Sequence, residues 1–99
     1  MTEDRATRRK RLYMRSIRRG IREMDLILGA YADRALAGME DGALDAYERL
    51  LDESDHDLYA WISGQARAPE AFMPLVDDIA AGASGITAPR DNTEKIQPV

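Results

Sequence analysis

The sequence predicts an all-α protein, a compact five-helix bundle with a disordered C-terminal tail. Apolar residues recur at helical spacing from Leu12 to Ile79, and no alternating run of useful length suggests a strand. Glycine, serine and proline cut that pattern into five pieces, so one long rod is not expected. At 99 residues the chain accommodates one domain, placed at 1–82, with 83–99 as the tail. A domain of this size buries only about 60% of its unfolded surface, which leaves a thin core and little room for a deep cleft.

The first piece is a basic helix over about residues 5–18, with Leu12, Tyr13 and Ile17 as its apolar side. Gly20 separates it from the second, since glycine just past a helix end takes the left-handed conformation that stops it. Ile21, Met24, Ile27, Leu28, Tyr31 and Ala35 line one face of a helix of roughly residues 21–37. Gly38 and Gly42 bracket the next break. Leu44, Tyr47, Leu50 and Leu51 then mark a helix at about 41–52. Ser54 and Asp55 offer N-cap oxygens to a short fourth helix at about 56–64, and Asp57 in its first turn suits the helix dipole. Its Leu58 and Trp61 are expected to hold the bundle, because an aromatic at helical spacing belongs to the core. Pro69 and Pro74 imply a turn at 69–73, with Pro74 opening the last helix, marked by Leu75, Val76 and Ile79. After Gly82 the composition turns to Gly, Ser, Thr, Pro and Asn, with too little apolar content to offset the entropy of ordering.

The net charge of −4 conceals a polarity. Residues 1–23 carry nine Arg or Lys against three Asp or Glu, and residues 24–99 carry five against fifteen, so a +6 segment precedes a −10 remainder. Such a pole steers association with an acidic surface, whether phosphate or carboxylate.

Several kinds of chemistry are missing. The chain has no cysteine, which removes disulfide frameworks, cysteine zinc sites, iron–sulfur clusters and thiol catalysis, and fits a reducing compartment; a cytoplasmic location is expected. No apolar run approaches the roughly 20 residues of a membrane span, and the N-terminus has no apolar leader, so no membrane association is expected. His56 is the single histidine and falls at a helix start, where an exposed turn residue is the simpler reading than a catalytic base or metal ligand. The acidic run from Asp52 to Asp57 lacks the glycine and the spaced glutamate of a calcium loop. There is no glycine-rich phosphate loop. Neither an enzyme nor a bound metal or cofactor is expected.

What remains is the corner at residues 12–25, which combines Arg18, Arg19, Gly20, Arg22, Glu23 and Asp25. Gly20 lets another chain approach closely, Arg19 offers a rigid fork for a carboxylate or carbonyl, and Glu23 orients an arginine or receives a donor. A structural reading stands beside this one: Gly20 ends a helix and Glu23 complements a dipole.

Arg19-Gly20-x-x-Glu23 resembles the Arg-Gly-x-x-Glu signature of the succinate dehydrogenase FAD assembly factors, also called flavinators or flavinylation factors. A second block, Arg49-Leu50-Leu51 followed by Asp55-His56-Asp57-Leu58-Tyr59-Ala60-Trp61, is similar to that family's Arg-Leu-Leu and Asp-x-Asp-Leu-aromatic-x-Trp pattern. The resemblance spans about residues 8–80, with His56 where many relatives carry proline and an irregular stretch from Pro69 to Pro74. It implies a five-helix protein without a cofactor of its own; a monomer is expected. This protein would dock on the flavoprotein subunit of succinate dehydrogenase or fumarate reductase and promote covalent attachment of FAD to that subunit's histidine. Arg19, Gly20 and Glu23 are the implied partner-binding residues, with Asp25 beside them and Arg18 and Arg22 as flanking charges.

Two other classes compete. A small nucleic-acid-binding protein would use the basic N-terminal helix on phosphates, but the −10 remainder and the lack of a base-reading element oppose it. An enzyme acting on flavin or a dicarboxylate has only the arginine cluster in its favour.

Overall fold

The computed structural model describes residues 3–83, which form five α-helices and two short 3-10 turns: α1 (Arg5–Ile17), α2 (Arg22–Ala35), α3 (Asp41–Leu51), α4 (Asp55–Ile62) and α5 (Met73–Ala83). The 3-10 turns are Leu36–Gly38, which extends α2, and Glu70–Phe72, which leads into α5. No strand occurs among the described residues. The all-α, five-helix architecture read from the periodicity is present, and the tail expected at 83–99 lies, beyond Ala83, outside the described residues.

Each boundary has a local cause. Asp4 caps α1, its carboxylate accepting the Thr7 N–H at 2.7 Å. Beyond Ile17 the chain needs a left-handed residue to turn, and Gly20 supplies it at φ 97°. Ser54 caps α4, accepting the Asp57 N–H at 3.1 Å, with Asp55 and Asp57 in the first turn. That helix ends two residues earlier than its apolar spacing suggests. Gly64 at φ 84° closes a Schellman motif, in which the Gln65 N–H reaches the Ala60 carbonyl at 2.8 Å and the Gly64 N–H reaches Trp61 at 3.3 Å. Met73 rather than Pro74 opens α5, and proline is tolerated there because a first-turn N–H has no helical partner to lose.

The α1–α2 pair forms the centre, with α3 against α1, α5 against α2, and α4 against α5. Gly29 allows the central pair to approach: a Cβ at this position would lie 3.0 Å from Ile17 Cγ2. Leu12, Met24, Leu28, Leu44, Tyr47, Leu50 and Leu58 are wholly buried, with Val76 and Ile79 closing the core from α5. Burying a side chain of this size contributes about 1.5–3 kcal/mol against a conformational entropy cost of similar scale. Ser16 is the buried polar residue in this set. Its hydroxyl donates to the Leu12 carbonyl at 2.8 Å and accepts from the Tyr47 hydroxyl at 2.6 Å, which joins α1 to α3 and leaves neither group unsatisfied. Leu58 occupies the core as expected, whereas Trp61 is only partly buried at its margin, its ring 6.0 Å from that of Phe72.

Charge is arranged differently from its distribution along the chain. Arg5 pairs with Asp41 at 3.2 Å, Arg8 with Asp45 at 2.6 Å and Glu48 at 2.9 Å, Arg11 with Glu48 at 2.8 Å, and Arg15 with Asp52 at 2.9 Å. Residue numbers rise together on both sides, so α1 and α3 run in the same direction as two facing ladders. The pole expected from the sequence is thereby partly offset: folding places Arg5, Arg8, Arg11 and Arg15 on carboxylates of α3 and of its C-cap, Asp52.

Candidate functional site

The corner at residues 18–25 is built around Arg19. Its backbone N–H donates to Asp25 Oδ1 at 2.7 Å, which ties the turn before α2 to that helix's own first turn. The guanidinium points away from solvent. Nε donates to Asp55 Oδ1, Nη1 to the Leu51 carbonyl at 2.7 Å and Nη2 to the Glu53 carbonyl at 2.7 Å. The last carbonyls of a helix have no partner within it, and one planar fork here satisfies the end of α3 together with the linker to α4. Only 9% of the Arg19 side chain is exposed. The two sequence blocks at 19–23 and 55–61 therefore meet in space, across 36 residues of sequence.

Above this junction lies a groove of about 380 Å³ lined by Ile21, Glu23, Met24, Asp55, His56, Tyr59, Ala60 and Gln65. Ile21 is 45% exposed and gives this lining an accessible apolar side chain. Glu23 makes no ion pair among the described residues and sits at the groove's edge, while Arg18 and Arg22 are exposed outside its lining. Asp25 lies behind, occupied by the Arg19 N–H.

The six residues singled out from the sequence thus share one corner and divide by environment. Gly20, Glu23, Arg18 and Arg22 face solvent; Arg19 and Asp25 are engaged within the chain. Composition and motif did not identify Ile21, His56, Tyr59, Ala60 and Gln65 as groove residues. The spacing of His56, Tyr59 and Ala60, three and four residues apart on α4, carried a trace of it, because such positions share a helix face.

A second depression of about 330 Å³ lies between Tyr31, Met39, Ala43, Ala46, Ala71, Pro74, Leu75 and Asp78. Among the described residues there is no cluster of three or more His, Cys, Asp or Glu residues arranged for a metal, and no helix is long and apolar enough to cross a membrane.

These features define the class: a small helical-bundle protein with a polar-edged groove where two helix junctions are locked together. The chain belongs to the family described as flavinator of succinate dehydrogenase, whose model matches residues 10–83. It is similar to succinate dehydrogenase assembly factor 2, mitochondrial, of Aspergillus terreus, 45% identical over 75 residues, which are 76% of this chain and 25% of the relative. The protein of the same name from Meyerozyma guilliermondii is 46% identical over 59 residues, 60% of this chain and 44% of the relative. That from Schizosaccharomyces japonicus is 40% identical over 65 residues, 66% and 46% respectively. The chain spans less than half the length of each of these relatives. These relatives are named mitochondrial, and that finding overturns the cytoplasmic location expected from composition. A cysteine-free chain without a long apolar segment suits several compartments equally, so composition had no means of choosing.

Proposed function

We propose that this protein is a non-catalytic assembly factor that docks on the flavoprotein subunit of succinate dehydrogenase and promotes covalent attachment of FAD to it. The observation that carries the reading is the family match over residues 10–83, which includes both sequence blocks and the corner they build. The groove supports it with an exposed aliphatic residue, a carboxylate that makes no ion pair among the described residues, and a glycine turn beside them whose missing side chain leaves open space. Docking here would hold the flavin and the partner's own acceptor in reacting geometry, and such alignment lowers a barrier by several kcal/mol without a chemical group from the factor. The same factor would act as a monomer, and a fumarate reductase flavoprotein would be accepted if it offers the same surface.

The ladder weighs against the nucleic-acid alternative. Arg5, Arg8 and Arg11 are turned onto carboxylates of α3 and Arg15 onto its C-cap, Asp52, so they are not presented as a phosphate-reading stripe.

The test is complementation in a strain lacking its own factor, with covalent flavin read as fluorescence of the succinate dehydrogenase flavoprotein in a denaturing gel. Glu23→Ala should remain helical with the parent's melting temperature, because Glu23 is exposed and makes no ion pair among the described residues. The band should nevertheless fall to the level of the strain without a factor, because a donor on the partner is left unpaired. A normal band with folded Glu23→Ala would remove this residue from the site, and a parent protein that never restores the band would overturn the function.

A further inference from the structure

We propose that Arg19 is a positioning residue that sets the width of the docking groove from beneath and does not touch the partner. The inference rests on the docking reading above and deepens it. Arg19 is absent from the groove's lining, whereas its ion-pair partner Asp55 is part of it. Three side-chain donors reach Asp55, Leu51 and Glu53, and the backbone N–H reaches Asp25, so one residue fixes the start of α2 and the start of α4 against the end of α3. One wall of the groove, Ile21 and Glu23, follows directly from the Arg19–Gly20 turn; the other, His56 and Tyr59, follows directly from Asp55. Their separation is therefore held by the Arg19–Asp55 pair.

Burial separates this arginine from the others that form ion pairs. Arg5, Arg8, Arg11, Arg15 and Arg34 keep 44, 19, 40, 35 and 41% of their side chains exposed, against 9% for Arg19 and 16% for Asp55. A pair this enclosed leaves an uncompensated charge when one member is removed. The fork also explains the residue type: a lysine ammonium can keep the carboxylate but cannot hold a fixed planar geometry toward two further carbonyls.

The experiment is a double-mutant cycle on the full chain with Arg19→Ala, Asp55→Ala and their combination, and Arg19→Lys as a variant that keeps the charge. Affinity for the purified flavoprotein subunit of succinate dehydrogenase is measured at a temperature where circular dichroism shows each variant fully folded. Melting temperatures are recorded in parallel. If the pair positions the groove, Arg19→Ala and Asp55→Ala each weaken binding by about tenfold, the double variant is no weaker than the worse single one, and Arg19→Lys falls between parent and alanine. If Arg19 is a contact, Asp55→Ala binds like the parent, or the two losses multiply to about a hundredfold; either result overturns the proposal. Parental affinity in all folded variants would show a purely structural pair and overturn it as well. Were the parent itself not to bind the flavoprotein, the docking reading would fall separately. The clamp would then be judged by whether the melting losses fail to add and whether the Tyr59 and Ala60 amide resonances shift in Arg19→Lys, and additive losses with unmoved resonances would overturn it.

Discussion

Gly20 shows how one residue type can serve both backbone and surface. Its φ of 97° lies where any side chain meets its own carbonyl, and a Cβ added there would find nothing within 4 Å. Gly20→Ala is therefore strained without being crowded. Its cost should come from the backbone alone, about 1–2 kcal/mol, read as a lower urea midpoint with an unchanged slope. The same calculation applies to Gly64, the stop of α4 that helical periodicity overlooked. Gly20 was legible because it stands between two apolar stripes; Gly64 lies among Ser63, Gln65 and Ala66, where no large apolar residue marks the helix end.

Among the elements, α1 and α3 depend on each other most visibly. Glu48 receives both Arg8, at 2.9 Å, and Arg11, at 2.8 Å. Hydrogen bonding from Arg11, then from Arg8, holds its carboxyl below the ordinary value of 4.5, with the neighbouring positive charges acting in the same direction. A group whose pKa is lowered by folding contributes stability above its ordinary value and loses it as the pH falls through the lowered one. The parent should thus lose stability on acidification below about 4.5, and Glu48→Ala should flatten that loss. At neutral pH the substitution should cost about 1 kcal/mol, since each bridge is partly solvated. Urea titrations of parent and variant at neutral and acid pH check both statements.

Across the whole molecule, two tyrosines join the layers. Tyr47 is wholly buried and bonded to Ser16 of α1, and Tyr31 lies 5.5 Å from it, ring to ring, with Arg34 stacked 4.8 Å above its face. Burial pushes Tyr47 from 10.0 to about 12, and burial followed by the negative charge of Asp78 does the same for Tyr31. Both fold best when protonated, so their contribution is complete below pH 10, declines through the interval to about 12 and is absent above it. The melting temperature should fall across that window, and Tyr47→Phe, which has no proton to lose, should fall less steeply. A melting temperature that is flat across the window would show that the two hydroxyls are not held neutral by the core.

How much of this was legible in the chain follows from the range of each interaction. Helix number, type and most boundaries are written in local periodicity, caps and glycines, since a 3.6-residue repeat and a side chain bonding three residues ahead are properties of neighbouring positions. The corner at Arg19, Gly20 and Glu23 was found for the same reason, as a short run of unusual types. Which of those residues face outward was not legible. Arg19 turns inward because Asp55 and the carbonyls of Leu51 and Glu53 come within reach only after α3 and α4 have packed. Trp61 packs against the margin of the core, beside Phe72 of the turn before α5, a neighbour that comes within reach only once that turn has folded back. Much of the basic segment was set against carboxylates on folding, because residues 36 and 37 apart became a ladder of ion pairs. Local order was determined by the sequence itself; the orientation of charged side chains and the existence of a groove were decided by tertiary structure, since both depend on which helix ends meet.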